Sequence, residues 1–397
     1  MNNLSERITN LSESQTIAMA QKSRDMKERG IDVISLSLGE PDFDTPEFVK
    51  NAAIEAIHNN ITHYPPVPGF PDLRNAIAQK LKRDNNLDYT AENIVVSTGA
   101  KQSLINVVLS LVNPNEEVIL PAPYWVSYKA MVELAEGHPV IIPTDVEDDF
   151  KFTADQLRRS INRKTRLVIF SSPCNPSGSV YSREELSAIA DVIAAKDDLY
   201  VISDEIYELI NFKDEHVSLA QFDKIKDRVI TVNGVSKGFS MTGWRIGYIA
   251  APTVIAKAAT KMQGQYTSGA NSIAQMAAKA AVEADPEVIA EMKAKFLERR
   301  DLMLQLISEI DGFKSHTPEG AFYLFPDVSA YFGKNNDSVK IKSDLDLCEY
   351  LLEEARVALV PGSAFGSPNC IRISYATDEE TLKEAVKRIK AALEKLS

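Results

Sequence analysis

Gly234-Val235-Ser236-Lys237-Gly238-Phe239-Ser240-Met241-Thr242-Gly243-Trp244-Arg245-Ile246-Gly247 is the stretch that decides how this chain is read. The β-branched run Val229 to Val232 leads into it as a buried strand, and Arg245 to Ala251 reads as another. Between them lies a glycine-punctuated loop with one lysine and, eight residues on, an arginine. A lysine held in a partly desolvated pocket loses its preference for the ammonium form and becomes a nucleophile towards carbonyl carbon. The planar donor fork of an arginine suits a phosphate dianion. A surface lysine in an ordinary loop is the plain alternative.

Outward from that window, strand and helix patterns take turns. Strands are expected at 94–98, 117–120, 139–142, 166–171, 199–203, 229–232 and 246–250, with a short one at 34–38 before them. Helical patterns cover 46–58, 71–84, 101–112, 124–135, 154–161 and 183–196. Near-continuous apolar strands such as Leu167-Val168-Ile169-Phe170 point to an α/β domain, its mainly parallel seven-stranded sheet flanked by helices. Past residue 285 the character changes: a long charged helix at about 286–310, strands at 321–325 and 370–374, helices at 344–355 and 378–395. This reads as a smaller α+β domain, closed by the N-terminal segment. The expected division is 1–45 for an N-terminal arm with part of the small domain, 46–285 for the large domain and 286–397 for the small one. Residues 333–343 are polar and read as an exposed loop.

Bulk composition narrows the partners. The 397 residues are 44% hydrophobic and 25% charged, ordinary for a globular chain with a sizeable core. A net charge of −12 and a pI near 5.1 argue against nucleic acid and anionic membrane, so an anionic substrate needs a local cationic pocket. The start, Met1 to Arg7, lacks the apolar core of a secretory signal, and no apolar stretch approaches a membrane span. Cys174, Cys348 and Cys370 are odd in number and far apart, which points to a reducing cytoplasm rather than a disulfide framework. The five histidines form no His-x-x-x-His pair and no zinc spacing, so no metal is expected.

The chemically capable residues fall just past the carboxyl ends of strands, where an open α/β sheet binds its ligands. Thr98-Gly99-Ala100-Lys101 joins a strand to a helix start, whose free N–H groups and positive dipole end suit phosphate; an ordinary helix cap is the alternative. Lys101 in that first turn opposes the dipole, which suggests an anion nearby or a side chain reaching into solvent. Prolines 173 and 176 flank Asn175 and stiffen its loop, while Cys174 beside it reads as a packing thiol. Asp204 closes the strand at 199–203 and Tyr207 follows three residues on. An aspartate there could pair with a protonated ring nitrogen, and a tyrosine could donate to a ring oxygen. Each of these could instead be a local cap. An amine that condenses with an aldehyde, next to a phosphate clamp, is what pyridoxal 5'-phosphate requires.

Together Asn175, Asp204, Lys237 and Arg245, in order from successive strand ends, resemble the class I pyridoxal-phosphate aminotransferases of fold type I. The window 234–247 meets their lysine signature at every position. The resemblance continues through Tyr64 to Gly69 with Leu73-Arg74, Pro123-Tyr124-Trp125, Pro361 to Gly366 and Ile371 to Ser374. It runs from about Leu4 to the C-terminus and is strongest to the bacterial aspartate aminotransferase subgroup that includes prephenate aminotransferases.

The resemblance implies roles. Lys237 would condense with the cofactor aldehyde and shuttle the substrate α-proton, Asp204 would keep the pyridine nitrogen protonated, and Tyr207 with Asn175 would bond the phenolic oxygen. Trp125 would stack on the ring, with a buried core tryptophan as the rival. Arg245, Gly99 and the amides of Ala100 and Lys101 would hold the phosphate, helped by Ser236. Tyr64 would reach the phosphate of a neighbouring subunit, making a homodimer with shared sites. Arg372 would clamp the substrate α-carboxylate and the backbone at Gly39 would close over it, with Trp125 and Asn175 bordering the same space. Gly234 departs from relatives that carry a phosphate-bonding serine there. Lys101 is the proposed reader of a side-chain carboxylate, and residues near Ser12 to Thr16 are expected at that end of the pocket.

The implied reaction is reversible amino transfer between L-aspartate and 2-oxoglutarate, with prephenate, aromatic or broad amino donors as alternatives. A carbon–sulfur β-lyase on the same fold shares the lysine, aspartate and tyrosine. A non-catalytic cofactor-binding regulator finds no appended DNA-binding segment, and a dehydrogenase no Gly-x-Gly-x-x-Gly after the first strand of a βαβ unit.

Overall fold

Twelve strands carry the architecture of the computed structural model, which describes residues 4–11, 15–213, 215–336 and 339–397. In chain order they are β1 (Ile34–Ser35), β2 (Ile94–Thr98), β3 (Glu117–Pro121), β4 (His138–Ile142), β5 (Thr165–Ser171) and β6 (Tyr200–Asp204). Then come β7 (Val229–Gly234), β8 (Ile246–Ala250), β9 (Tyr323–Leu324), β10 (Val357–Ala358), β11 (Val360–Pro361) and β12 (Ile371–Ser374). Seven of them form the large sheet, in the order β2-β8-β7-β6-β5-β3-β4, and all seven lie where their apolar, β-branched runs place them. Every pairing is parallel except those of β8, which runs antiparallel to both β2 and β7.

The sheet is covered on both faces, and the strands show it by alternation. Val118, Leu120, Leu167, Ile169, Ile230 and Val232 pack with Leu104, Val107, Val108, Met131 and Ile255 on one side. Their neighbours Ile119, Val168, Phe170, Val201 and Val229 pack with Leu73, Ile77, Leu186, Ile189 and Ala277 on the other. Successive side chains point to opposite faces, so strands buried on both sides must be apolar throughout. The covering helices start where their sequences cap them. Ser182 and Glu185 form a reciprocal capping box for Arg183–Ala194, and Thr153 with Gln156 does the same for Ala154–Ser160.

The sequence reading assigned no element to 251–285, where the chain forms two helices, Thr253–Tyr266 and Ser272–Glu283. Their buried faces are mostly alanine (Ala256, Ala259, Ala277, Ala278, Ala281), a small residue that lets them pack closely. The helix expected at 344–355 is helical over Asp344–Tyr350 and widens into a π turn at Leu351–Ala355. Beside the large domain stands a smaller α+β domain, in which β11, β12 and β9 make an antiparallel sheet. The N-terminal segment joins it through β1, which pairs in parallel with β10.

Register brings the strand ends together. Ser171 stands beside Asp204, Asp204 beside Val232, Gly234 beside Gly247, and Thr98 beside Ile246. The carboxyl ends of β2, β5, β6 and β7 therefore share one edge, facing the small domain.

Candidate active site

At that edge lies a cavity of about 320 Å³, and eleven of the thirteen residues singled out from sequence line it: Gly39, Ala100, Lys101, Trp125, Asn175, Asp204, Tyr207, Ser236, Lys237, Arg245 and Arg372. The other two, Gly99 and Tyr64, are not among its lining residues.

Lys237 follows β7 and extends across the cavity, donating from Nζ to the carbonyl of Gly39 at 2.5 Å. Desolvation lowers its pKa to about 8, with Arg372 and Arg245 acting in the same direction. An amine in that range is a usable base and nucleophile near neutral pH. Asp204 ends β6. Its Oδ2 accepts from the Tyr128 hydroxyl at 2.7 Å and its Oδ1 from the Ile206 amide at 3.2 Å. Burial still dominates and raises its pKa to about 6.

Arg372, on β12, is 1% exposed. Its Nη1 donates to Asn175 Oδ1 at 2.9 Å and its Nη2 to the Ser37 carbonyl at 2.7 Å. The guanidinium lies 4.6 Å from the Tyr323 ring and 5.1 Å from that of Phe365. Its Nε is buried and has no partner among the described residues. Each Nη also keeps a second N–H, so the fork is held in place with donors to spare. A buried cation with unused donors on a cavity wall suits a carboxylate.

The opposite wall suits a second anion. Gly99 takes φ 79° and offers no side-chain cap to the helix Ala100–Leu111, which leaves its first amides open. Arg245, at φ 59°, is anchored by Nη1 donating to Thr242 O at 2.8 Å. A Cβ at Gly99 would overlap Arg245 Nη2, and one at Gly247 would overlap the Ala100 amide, so both glycines keep the cradle open. Lys101 Nζ sits 5.1 Å over the Trp125 ring, its pKa lowered by desolvation and then by Arg245. Ser236 is buried on the cavity wall. At Gly234 a Cβ would lie 2.8 Å from Ile246 O and 2.9 Å from Gly247 Cα, so this backbone has no room for a serine side chain.

These features match a known family across nearly the whole chain. The model of the aminotransferases of class I and II matches residues 31–389. The chain belongs to that family.

Within it, the chain falls with the fold type I members of the aspartate/prephenate subgroup. It is 48% identical over 395 residues to the bifunctional aspartate aminotransferase and glutamate/aspartate-prephenate aminotransferase of Petunia hybrida, covering 98% of this chain and 82% of that one. It is 46% identical to a probable aspartate/prephenate aminotransferase of Rhizobium leguminosarum bv. phaseoli, with 97% of each covered. Its fold superimposes with a TM-score of 0.96 on the crystal structure of the aspartate aminotransferase of Rhizobium meliloti, at 43% identity over the full length of both. The aspartate aminotransferase of Thermus thermophilus with maleate gives 0.92 at 38% identity, covering 99% of this chain and 100% of that one.

Fold type I aminotransferases use pyridoxal phosphate. The donor set here fits that group: a desolvated amine for its aldehyde, an anion cradle for its phosphate and a buried carboxylate for its ring nitrogen.

Two tyrosines that shape this cavity are not legible from sequence. Tyr128 bonds Asp204, and Tyr323 places its hydroxyl 2.7 Å from that of Tyr207. Thr16, expected near the pocket, lines it, whereas Ser12 lies outside the described residues. Cys174 is buried, with Sγ 3.7 Å from Pro123 O, and burial raises its pKa, as befits a packing thiol. Behind Asp204, Glu205, Glu208 and His216 come within ligand distance of one another. Their acids are already satisfied: Glu205 by Ser203, Ser218 and His216, Glu208 by Lys80 and Asn85.

Proposed function

We propose that the chain is a pyridoxal-phosphate-dependent aspartate aminotransferase that moves the amino group reversibly between L-aspartate and 2-oxoglutarate. The observation that carries this is the meeting, in one cavity, of the Lys237 amine, the Asp204 carboxylate and the unused donors of Arg372. When bound, the cofactor supplies an aldehyde that takes up amino groups and a ring that accepts the electron pair released at the substrate α-carbon.

The chain's own residues do the rest. Arg372 orients the substrate through its α-carboxylate, and the stacked Tyr323 and Phe365 rings keep the fork from turning. Lys237, neutral in useful amount near pH 8, would take the proton from the substrate α-carbon and deliver it to the carbon that was the cofactor's aldehyde. Asp204, ionised above pH 6, holds the proton on the ring nitrogen. Tyr207 donates to the phenolic oxygen; Asn175 gives its own oxygen to Arg372, so its Nδ2 is the group that donates alongside. Arg245, Ser236 and the first amides of the Ala100 helix would hold the phosphate, and Trp125 would cover the ring. Lys101 reads the side-chain carboxylate of the substrate.

Tyr64 is 97% exposed and away from the cavity of its own chain, which supports its reaching the phosphate site of a second copy in a homodimer. Exposed Ile54, Ile57 and Tyr266 favour the same reading. Three free, buried cysteines support a cytoplasmic setting.

The test is an amino-donor panel with 2-oxoglutarate and oxaloacetate, followed through the absorption of the cofactor. Aspartate converting the cofactor to its amine form and oxaloacetate reversing it is the expected result; no conversion by any dicarboxylic donor would refute the reading. The names of relatives keep prephenate as the second acceptor to try. Pyruvate and ammonia from cystine without a keto acid would instead indicate a β-lyase.

A further inference from the structure

Tyr323 stands where the two halves of the site meet. It lies on β9, beside Ser374 of β12 and so close to Arg372, and it is fully buried. Its ring supports the Arg372 guanidinium at 4.6 Å, and its hydroxyl lies 2.7 Å from that of Tyr207. Any side chain at position 39 would overlap the Tyr323 oxygen, so the strap that carries Gly39 leaves this hydroxyl its place.

A hydroxyl has one proton to give. In a pair of tyrosines one donates to the other, and the acceptor keeps its own proton for a third group. The spare proton sits on Tyr207 only when Tyr323 donates to it. A hydroxyl that accepts is polarised and becomes a better donor in turn. The pair can therefore take either order, and an anionic oxygen next to Tyr207 selects one of them.

We propose that Tyr323 is a positioning residue for this site: its hydroxyl donates to Tyr207 so that Tyr207 can donate to the ring oxygen of the cofactor, while its ring holds the carboxylate-binding Arg372. This rests on the reading of Tyr207 given above. One side chain then ties the grip on the substrate carboxylate to the electronics of the ring.

The experiment uses the holoenzyme and the variants Tyr323→Phe, Tyr207→Phe and the double variant. The readout is the pH midpoint of the visible absorption of the bound cofactor, with the dissociation constant of pyridoxal phosphate measured alongside. Tyr323→Phe keeps the ring under Arg372 and removes only the hydroxyl. Its midpoint is expected to rise by roughly 0.5–1 unit, the size of one lost buried hydrogen bond. Tyr207→Phe should raise it further, and the double variant should match Tyr207→Phe alone, because Tyr323 acts only through Tyr207. Tyr323→Leu, which also takes the ring away, should weaken binding of maleate as well. An unmoved midpoint in Tyr323→Phe, or additive shifts in the double variant, overturns the proposal while Tyr207 keeps its role. An unmoved midpoint in Tyr207→Phe overturns the assignment of Tyr207, and this proposal with it.

Discussion

Replacing Lys237 with methionine should make the cofactor-free protein more stable, and by an amount that depends on pH. The reason is the desolvated, partly buried amine. Its pKa is about 8 in the fold against 10.5 for an ordinary lysine, a difference of about 2.5 units, or roughly 3 kcal/mol at ~1.36 kcal/mol per unit. The sign follows from proton counting. Between pH 8 and 10.5 the unfolded chain binds the lysine proton and the folded chain does not, so stability rises with pH across that window. Below pH 8 both states are protonated and the fold bears the whole penalty of a desolvated ammonium. Methionine has similar length and no charge, so it escapes the penalty but loses the bond to Gly39 O, worth about 1 kcal/mol.

The net expectation is a gain of about 2 kcal/mol near pH 7, of which most is gone near pH 9.5 because the wild type has by then shed much of its penalty. Urea unfolding of both apo proteins at equal concentration, at several pH values, reads this directly. Other groups titrate over the same range, but they are common to both proteins and cancel in the difference. A stability difference that stays flat from pH 7 to 9.5, or a methionine variant less stable at pH 7, would refute the reasoning. Stability surrendered at this position is what keeps a reactive amine available.

Arg372→Ala should lower kcat/KM for aspartate by roughly 30-fold to several thousand-fold, the ~2–5 kcal/mol of a desolvated charge pair broken on one side, and Arg372→Lys should recover little because it lacks the fork; a loss under about threefold would remove Arg372 from the site. Lys101→Ala should cost aspartate far more than a neutral amino donor, whereas equal losses in the two kcat/KM values would deny it the side-chain carboxylate. Gly99→Ala sets a methyl group against Arg245 at a position with φ 79°, so the dissociation constant for pyridoxal phosphate should rise at least about tenfold, and an unchanged constant would mean that Arg245 is not needed for the phosphate.

Much of this site could be read from the chain because its chemistry is local. Lys237 and Arg245 share one loop, Asp204 ends a strand, Asn175 lies in the loop four residues past the end of another, and Gly99 precedes a helix: short windows hold both the residue and the element that aims it. The sheet was legible for a related reason, since strands buried on both faces must be continuous apolar runs. The reversal of β8 was not legible: strands expected at 229–232 and 246–250 leave thirteen residues between them, enough for a parallel crossover, and only the extension of β7 to Gly234 shortens that link to residues 235–245. The helices at 253–266 and 272–283 were not singled out, although Ile255, Ala256 and Ala259, and Ala274, Ala277, Ala278 and Ala281, recur at helical spacing along their buried faces.

What sequence could not supply were contacts made by partners distant along the chain. Tyr128 meets Asp204 across 76 positions and Tyr323 meets Tyr207 across 116. Each is one of thirteen tyrosines, and a buried tyrosine is ordinary core material until its hydroxyl is seen to touch a functional group. Gly234 gives the same lesson in reverse. As a motif position it looked like a missing serine, and only the register with Gly247 makes it a place where two backbones pass too closely for any side chain. A motif therefore names the groups that do chemistry, while the geometry that tunes them (Tyr128 on Asp204, Tyr323 on Tyr207, Asn175 on Arg372) is written in the packing of remote segments. Substrate preference should accordingly follow from Lys101 together with such remote contacts, because Lys237, Asp204 and Arg372 would serve every amino donor alike.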